Sequence, residues 1–263
     1  MGLWQDLRAS WQTRRDAAAV NRRPIPDKLW RRTLKRFPFL SNGDPQDEQQ
    51  LRRLTSLFLD RKEFSGAHGL EITDDMAVAI AAQACLPVLR IGLGAYDGFV
   101  GIVVHPGQAV VQRERIDDDG VVHVVEEELS GETVQGGPVM LSWRDVRASG
   151  ATAQDGYNVV IHEFAHVLDL ADGLPDGCPL LPPHLSKPRW LAAMQRAYDD
   201  FCRQVDAEED TELDPYGATG IDEFFAVASE TYFTQADALR RAFAEVYGLL
   251  DAYYRPSAGT SGP

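Results

Sequence analysis

Two histidines four residues apart, with a glutamate directly after the first, stand in the run YNVVIHEFAHVLDL. On a helix this spacing brings the imidazoles of His162 and His166 to one side, about a turn apart. Two neutral ring nitrogens placed so can reach one zinc at about 2.0–2.1 Å. Glu163 would then sit beside the metal without binding it, placed to take a proton from water and pass it to a leaving amine. The five-residue pattern is a weak signal alone, but its surroundings strengthen it. Val159, Val160, Ile161, Phe164, Ala165, Val167 and Leu168 carry no charge, which predicts a buried helix with a single polar edge. Burying that edge without partners costs on the order of several kcal/mol, and a cation removes the cost.

A catalytic zinc has three protein ligands and one open position. A compact solution takes Asp172, six residues after His166, but needs the helix to break at position 169, commonly with glycine, and Asp169 stands there. The other solution draws on the later segment GIDEFFAVASETYF. It sets Glu223 and Glu230 two turns apart among Phe224, Phe225, Val227 and Ala228. A carboxylate in so apolar a helix wants a cation, so either acid could complete a two-His, one-Glu site. Asp222 belongs to the helix start, where it offsets the dipole.

The elements that must carry these residues read as follows. Leu51, Leu54, Leu57 and Phe58 recur at helical spacing, and Thr73-Asp74-Asp75 caps MAVAIAAQACL, which Pro87 closes, so 45–86 reads as two helices. From Pro87 to Val146 the β-branched runs FVGIVVH, QAVVQRE, VVHVVEEEL and PVMLSW are divided by HPG, DDDG and GGP turns. Alternation over Val121–Leu129 predicts an antiparallel sheet with one wet face. Helices are expected over Asp155–Leu170, from a Ser186 cap to about Val205, over Ile221–Phe233, and from a Thr234 cap to before Pro256. GLPDGCPLLPPHLSKP lies between the first two as a loop. The layout is α+β, a helix pair, a twisted and largely antiparallel sheet, then a helical half. It divides into a helical segment at 1–86 that packs on the body, a catalytic core at 87–256 and a disordered tail at 257–263. Residues 1–40 are basic and aromatic, the pattern of short helices that pack Trp and Phe inward and leave arginines in water.

The formal charge of −14 over 263 residues disfavours direct nucleic-acid binding, and no apolar stretch has the length of a signal peptide core or a membrane span. Cys85, Cys178 and Cys202 are odd in number and far apart, as reduced thiols of a cytoplasmic protein are.

VVIHEFAHVLD followed some fifty residues on by DEFFAVASETYF, together with IPDKLW, FPFL, KEFSGAHGLEITDDM and VMLSWRDV, resembles the Mlc titration factor A family of bacterial zinc peptidases. The resemblance covers most of the chain and implies a zincin-like, gluzincin-type core with one zinc per chain. His162 and His166 become the first two ligands, Glu163 the general base and Glu223 the third ligand. A related toxin peptidase has a tyrosine seven residues before its glutamate ligand, which here is Tyr216, a donor to the oxyanion. Many Glu-ligand zincins carry an acid four residues after that glutamate, but position 227 is Val. The partner that orients a ligand histidine then falls to Asp169 or Glu230. PVMLSW at 138–143 is the strand expected to pair with an extended substrate. The resemblance further implies aminopeptidase-like activity on peptides and, as partner, a transcriptional repressor of the Mlc type that links the protein to sugar uptake. The alternative it leaves open is a regulatory protein that sequesters such a repressor, with a zinc closed by four protein ligands and little peptidase activity.

Overall fold

The computed structural model describes residues 15–41, 43–99, 101–107, 109–116, 122–129, 131–133 and 136–256, with the backbone alone across 109–116, 122–129 and at 132. The expectations for residues 1–14, for the DDDG turn and for the tail at 257–263 lie outside them.

Ten helices and six strands order these residues. Helix α1 (15–22), α2 (Asp27–Arg36), α3 (Pro45–Arg61) and α4 (Asp74–Cys85) come first, with strand β1 (Glu63–Gly66) between α3 and α4. Strands β2 (Gly101–His105), β3 (Ala109–Ile116), β4 (Val122–Leu129), β5 (Gly131–Thr133) and β6 (Val139–Ser142) follow. The second half is helical: α5 (Trp143–Thr152), α6 (Val159–Asp169), α7 (Lys187–Asp206), α8 (Ile221–Thr234), α9 (Ala236–Ala242) and α10 (Ala244–Tyr254).

The central sheet has the order β1-β2-β6-β5, and its main body is parallel, not largely antiparallel as the alternation suggests. β1 pairs with β2, and β2 with β6, in parallel, Ile102 lying opposite Val139. Antiparallel pairing is confined to β5 against β6 and to a separate β3–β4 hairpin. The difference comes from β1, four residues inside a stretch whose flanks read as helix. The chain leaves β1 through α4 and re-enters the sheet in the same direction, as a crossover connection does.

Three further boundaries differ from the periodic reading. The strand PVMLSW ends at Ser142, whose hydroxyl accepts from the Asp145 amide at 3.4 Å and starts α5 at Trp143. α6 begins at Val159, not Asp155, because the Asn158 side chain caps it, accepting from the Ile161 amide at 2.9 Å. The last predicted helix divides at Phe243 into α9 and α10, and Gln235, not Thr234, precedes it.

One hydrophobic core draws residues from Ala19 to Tyr254. On one side of α6 an aromatic cluster seats Phe164 against Phe58 of α3, Tyr96 and Phe99, with ring centroids 5.0–5.7 Å apart. On its other side α6 packs against α8, which a second cluster holds through Phe224, Phe201 and Phe243 and through Phe225 against Trp190. Near the N-terminus Trp30 and Phe37 are buried, and Arg22 and Arg32 pair with Asp60 and Asp75. Among the described residues no helix is long and apolar enough to cross a membrane.

Candidate metal centre

α6 and α8 meet along their polar edges. His162 Nε2 lies 3.1 Å from His166 Nε2 and 3.0 Å from Glu223 Oε2, and His166 Nε2 lies 3.3 Å from the same oxygen. These three side chains form the cluster able to hold a metal among the described residues. The two helices supply them by ordinary geometry: His162 and His166 share a face at i and i+4, and Glu223 occupies the first turn of α8 opposite them.

Glu230, two turns after Glu223, takes a different place. Its Oε1 is 2.6 Å from His162 Nδ1, and its other oxygen accepts the Asn158 backbone amide. A carboxylate on Nδ1 keeps the proton there, so Nε2 presents a lone pair toward His166 and Glu223. Three lone-pair atoms at these separations repel unless a proton or a cation lies between them. Burial works to depress the His162 pKa, but Glu230 and Glu223 outweigh it and the net shift is well upward. Burial likewise works to raise the Glu223 carboxyl, and its bonds with both histidines bring it far below the usual range. The donor set thus attracts positive charge strongly, and two imidazoles with a carboxylate fit a divalent cation.

Glu163, next to His162 on α6 and close enough to feel the charge of both histidines and Glu223, extends its carboxylate to β5. The Thr133 hydroxyl donates to Glu163 Oε2 at 2.8 Å, and a Cβ at Gly131 would fall 2.3 Å from Oε1. Only glycine leaves room for the carboxylate there. Burial pushes the Glu163 pKa upward, the direction a proton acceptor working near neutrality needs.

Tyr216 stands on a 3-10 turn, Pro215–Thr219, with its phenol 3.4 Å from Glu223 Oε1 and its ring 6.0 Å from that of His162. Asp172 is elsewhere: it pairs with Lys187 at 3.0 Å at the surface. Asp169 is fully buried and accepts the Cys178 amide at 2.7 Å, which makes it a brace for the loop after α6. Of Asp169 and Glu230, it is Glu230 that bonds a cluster histidine, at His162 Nδ1.

Comparison with known proteins points to a metal-dependent family. The profile of a family described as glucose-regulated metallo-peptidase M90 matches residues 9–255. The chain belongs to the M90 metallopeptidase family. An uncharacterized protein of Synechocystis is 37% identical over 237 residues, 88% of this chain and 85% of its own. Proteins named Mlc titration factor A are similar at 34% in Pectobacterium atrosepticum, over 83% of each chain, and at 33% in Klebsiella pneumoniae, over 86% and 85%.

Four residues around the M90 cluster escape sequence reasoning. Gly131 and Thr133 sit in SGETVQGGP, between two runs that read as strands, and carry no signal of their own. Asn158 lies inside a stretch that reads as helix from Asp155. Gln83, whose Oε1 accepts from Asn158 Nδ2 at 2.9 Å, did leave a signal: it is the lone polar side chain in MAVAIAAQACL.

Proposed function

We propose that this chain is a cytoplasmic peptidase that hydrolyses peptide bonds at one zinc ion held by His162, His166 and Glu223. The observation that carries the reading is the spacing of the three donor atoms, 3.0–3.3 Å. Ligands bonded to a tetrahedral zinc at about 2.0–2.1 Å stand roughly 3.3 Å from one another. Zinc bound here would supply Lewis acidity, making water a nucleophile at neutral pH and polarising a carbonyl.

The protein's own groups do the rest. Glu163, aimed by Thr133 and given room by Gly131, accepts the proton of the attacking water and returns it to the leaving amine. Tyr216 donates its phenol proton as a hydrogen bond to the developing oxyanion. Glu230 holds His162 in the tautomer that keeps Nε2 free for the metal. An extended peptide pairs with the outer edge of β5. β6, the strand of the PVMLSW run, has β2 on one side and β5 on the other, so its backbone groups are already engaged.

Glu163→Gln tests the reading. We expect the variant to bind one zinc per chain by metal analysis and to lose on the order of 100-fold or more in turnover of fluorogenic peptides. Undiminished turnover would remove Glu163 from the mechanism. Activity on a free N-terminus, the aminopeptidase-like mode, is tested by comparing amino-free and acetylated forms of one peptide. The relatives named Mlc titration factor A favour a second role, binding of an Mlc-type repressor. Titration of the purified repressor with Glu163→Gln protein measures that role separately from hydrolysis.

A further inference from the structure

Beside the cluster lies a cavity of about 410 Å³, in the range of roughly 300–1,000 Å³ that small-ligand pockets occupy. Two of its lining residues neighbour the proposed catalytic groups. Thr133, which holds Glu163, and Val167, which follows His166, form one wall. Gly94, Gly98, Phe99, Leu170 and Leu180 form much of the remainder, and no charged side chain lines it among the described residues.

The glycine wall is fixed in place. Lys62, at the end of α3, donates from Nζ to the carbonyls of Tyr96 and Phe99 and lies 3.9 Å above the Phe99 ring. Phe99 is itself seated in the aromatic cluster against Phe164. Gly94 and Gly98 are not required by the backbone. Neither has a left-handed φ, and a Cβ at either meets no atom within 4 Å. Glycine at both, exposed residues of the cavity lining, leaves that space open.

The surface repeats the message. Among the described residues the large exposed apolar side chains are Leu174, Leu180 and Tyr216. Leu180 edges the cavity, Tyr216 stands by Glu223, and Leu174 lies on the loop that leaves α6. Of the three, Leu180 carries the apolar lining of the cavity out into water.

We propose that this cavity receives an uncharged apolar side chain, of the size of leucine, methionine or phenylalanine, from the peptide bound at the metal centre, and that it sets sequence preference. The inference rests on the peptidase reading. A strand added to β5 directs alternate side chains to one face, and Thr133 of β5 is part of the cavity wall, so one residue of such a peptide faces the opening.

Binding and turnover separate the two readings. Tetrapeptides of alanine and glycine, with one leucine moved through each position, are titrated into full-length Glu163→Gln protein by calorimetry, so that no peptide is consumed. At one position leucine should tighten binding about 10-fold or more over glycine. Gly98→Leu in that background, and independently Gly94→Leu, should abolish this gain while leaving the glycine parent unchanged, and Leu180→Ser should reduce it. The same position should dominate kcat/KM in the wild-type protein. Equal binding of all peptides, or a leucine gain that survives both filled-cavity variants, overturns the cavity assignment. Leucine-selective binding without hydrolysis by the wild type would instead overturn the peptidase reading and leave the cavity assignment standing.

Discussion

Side chains near the cluster act through their fit to Glu163 and to the end of α6. At position 131 the backbone approaches the carboxylate so closely that any Cβ would overlap it. Gly131→Ala should therefore fold and bind zinc at normal stoichiometry while turnover falls on the order of 100-fold, since misplacing a reacting group by about 1 Å has that cost. Normal activity in this variant would mean that Glu163 does not work from the position bonded to Thr133. Asp169 offers a pH test. Burial pushes its carboxyl from an ordinary value of 3.8 up to about 7, and one of its oxygens is buried with no hydrogen-bond partner. The folded protein then holds this proton more tightly than the unfolded chain. Its contribution to stability is full below about 3.8 and is lost as pH rises through about 7. Asp169→Asn, which carries no charge at any pH, should gain in melting temperature relative to wild type as pH is raised from about 5 to about 8. Parallel curves for the two proteins would show the carboxyl ionising equally in both states.

At the scale of elements, the site depends on α6 starting where it does. Asn158 caps the helix, bonds Gln83 of α4 through its side chain and bonds Glu230 of α8 through its backbone amide. Three helices thereby meet at one residue. Asn158→Ala removes a cap worth about 1 kcal/mol and leaves the buried Gln83 without a donor, so stability should fall by roughly 2–4 kcal/mol in urea denaturation. A smaller loss, below about 0.5 kcal/mol, would mean that the packing of α6 alone sets its start. The sheet teaches a related lesson. β5 has three residues, yet it provides the glycine and threonine that frame Glu163, because the edge of the sheet passes directly beside α6.

For the whole molecule, the aromatic cluster on one side of α6 and the α8 cluster on the other make the cleft part of a single core. Phe58 is fully buried and touches Phe64, Tyr96, Phe99 and Phe164. Phe58→Ala should cost about 3–5 kcal/mol, with peptide turnover lost in the same temperature range as the fold. Two transitions, with the site failing well before the core, would show the cleft to be a separate cooperative unit.

Much of the centre was legible in the chain itself. His162, Glu163 and His166 are local: four residues of helix determine that the histidines share a face, whatever surrounds them. Glu223 and Glu230 announced themselves as acids in an apolar helix, where an unpaired carboxylate is costly. The apolar helix alone left open which of the two joins the histidine pair; the family resemblance assigned that place to Glu223, and the packing of α8 against α6 sets Glu223 beside both Nε2 atoms and Glu230 on His162 Nδ1. The parallel sheet, the role of β5, the Gly131 and Thr133 contacts with Glu163 and the cavity at Gly94 and Gly98 also came from tertiary structure alone. Each depends on segments far apart in the chain that carry no period of their own, so their meaning is set by what packs beside them.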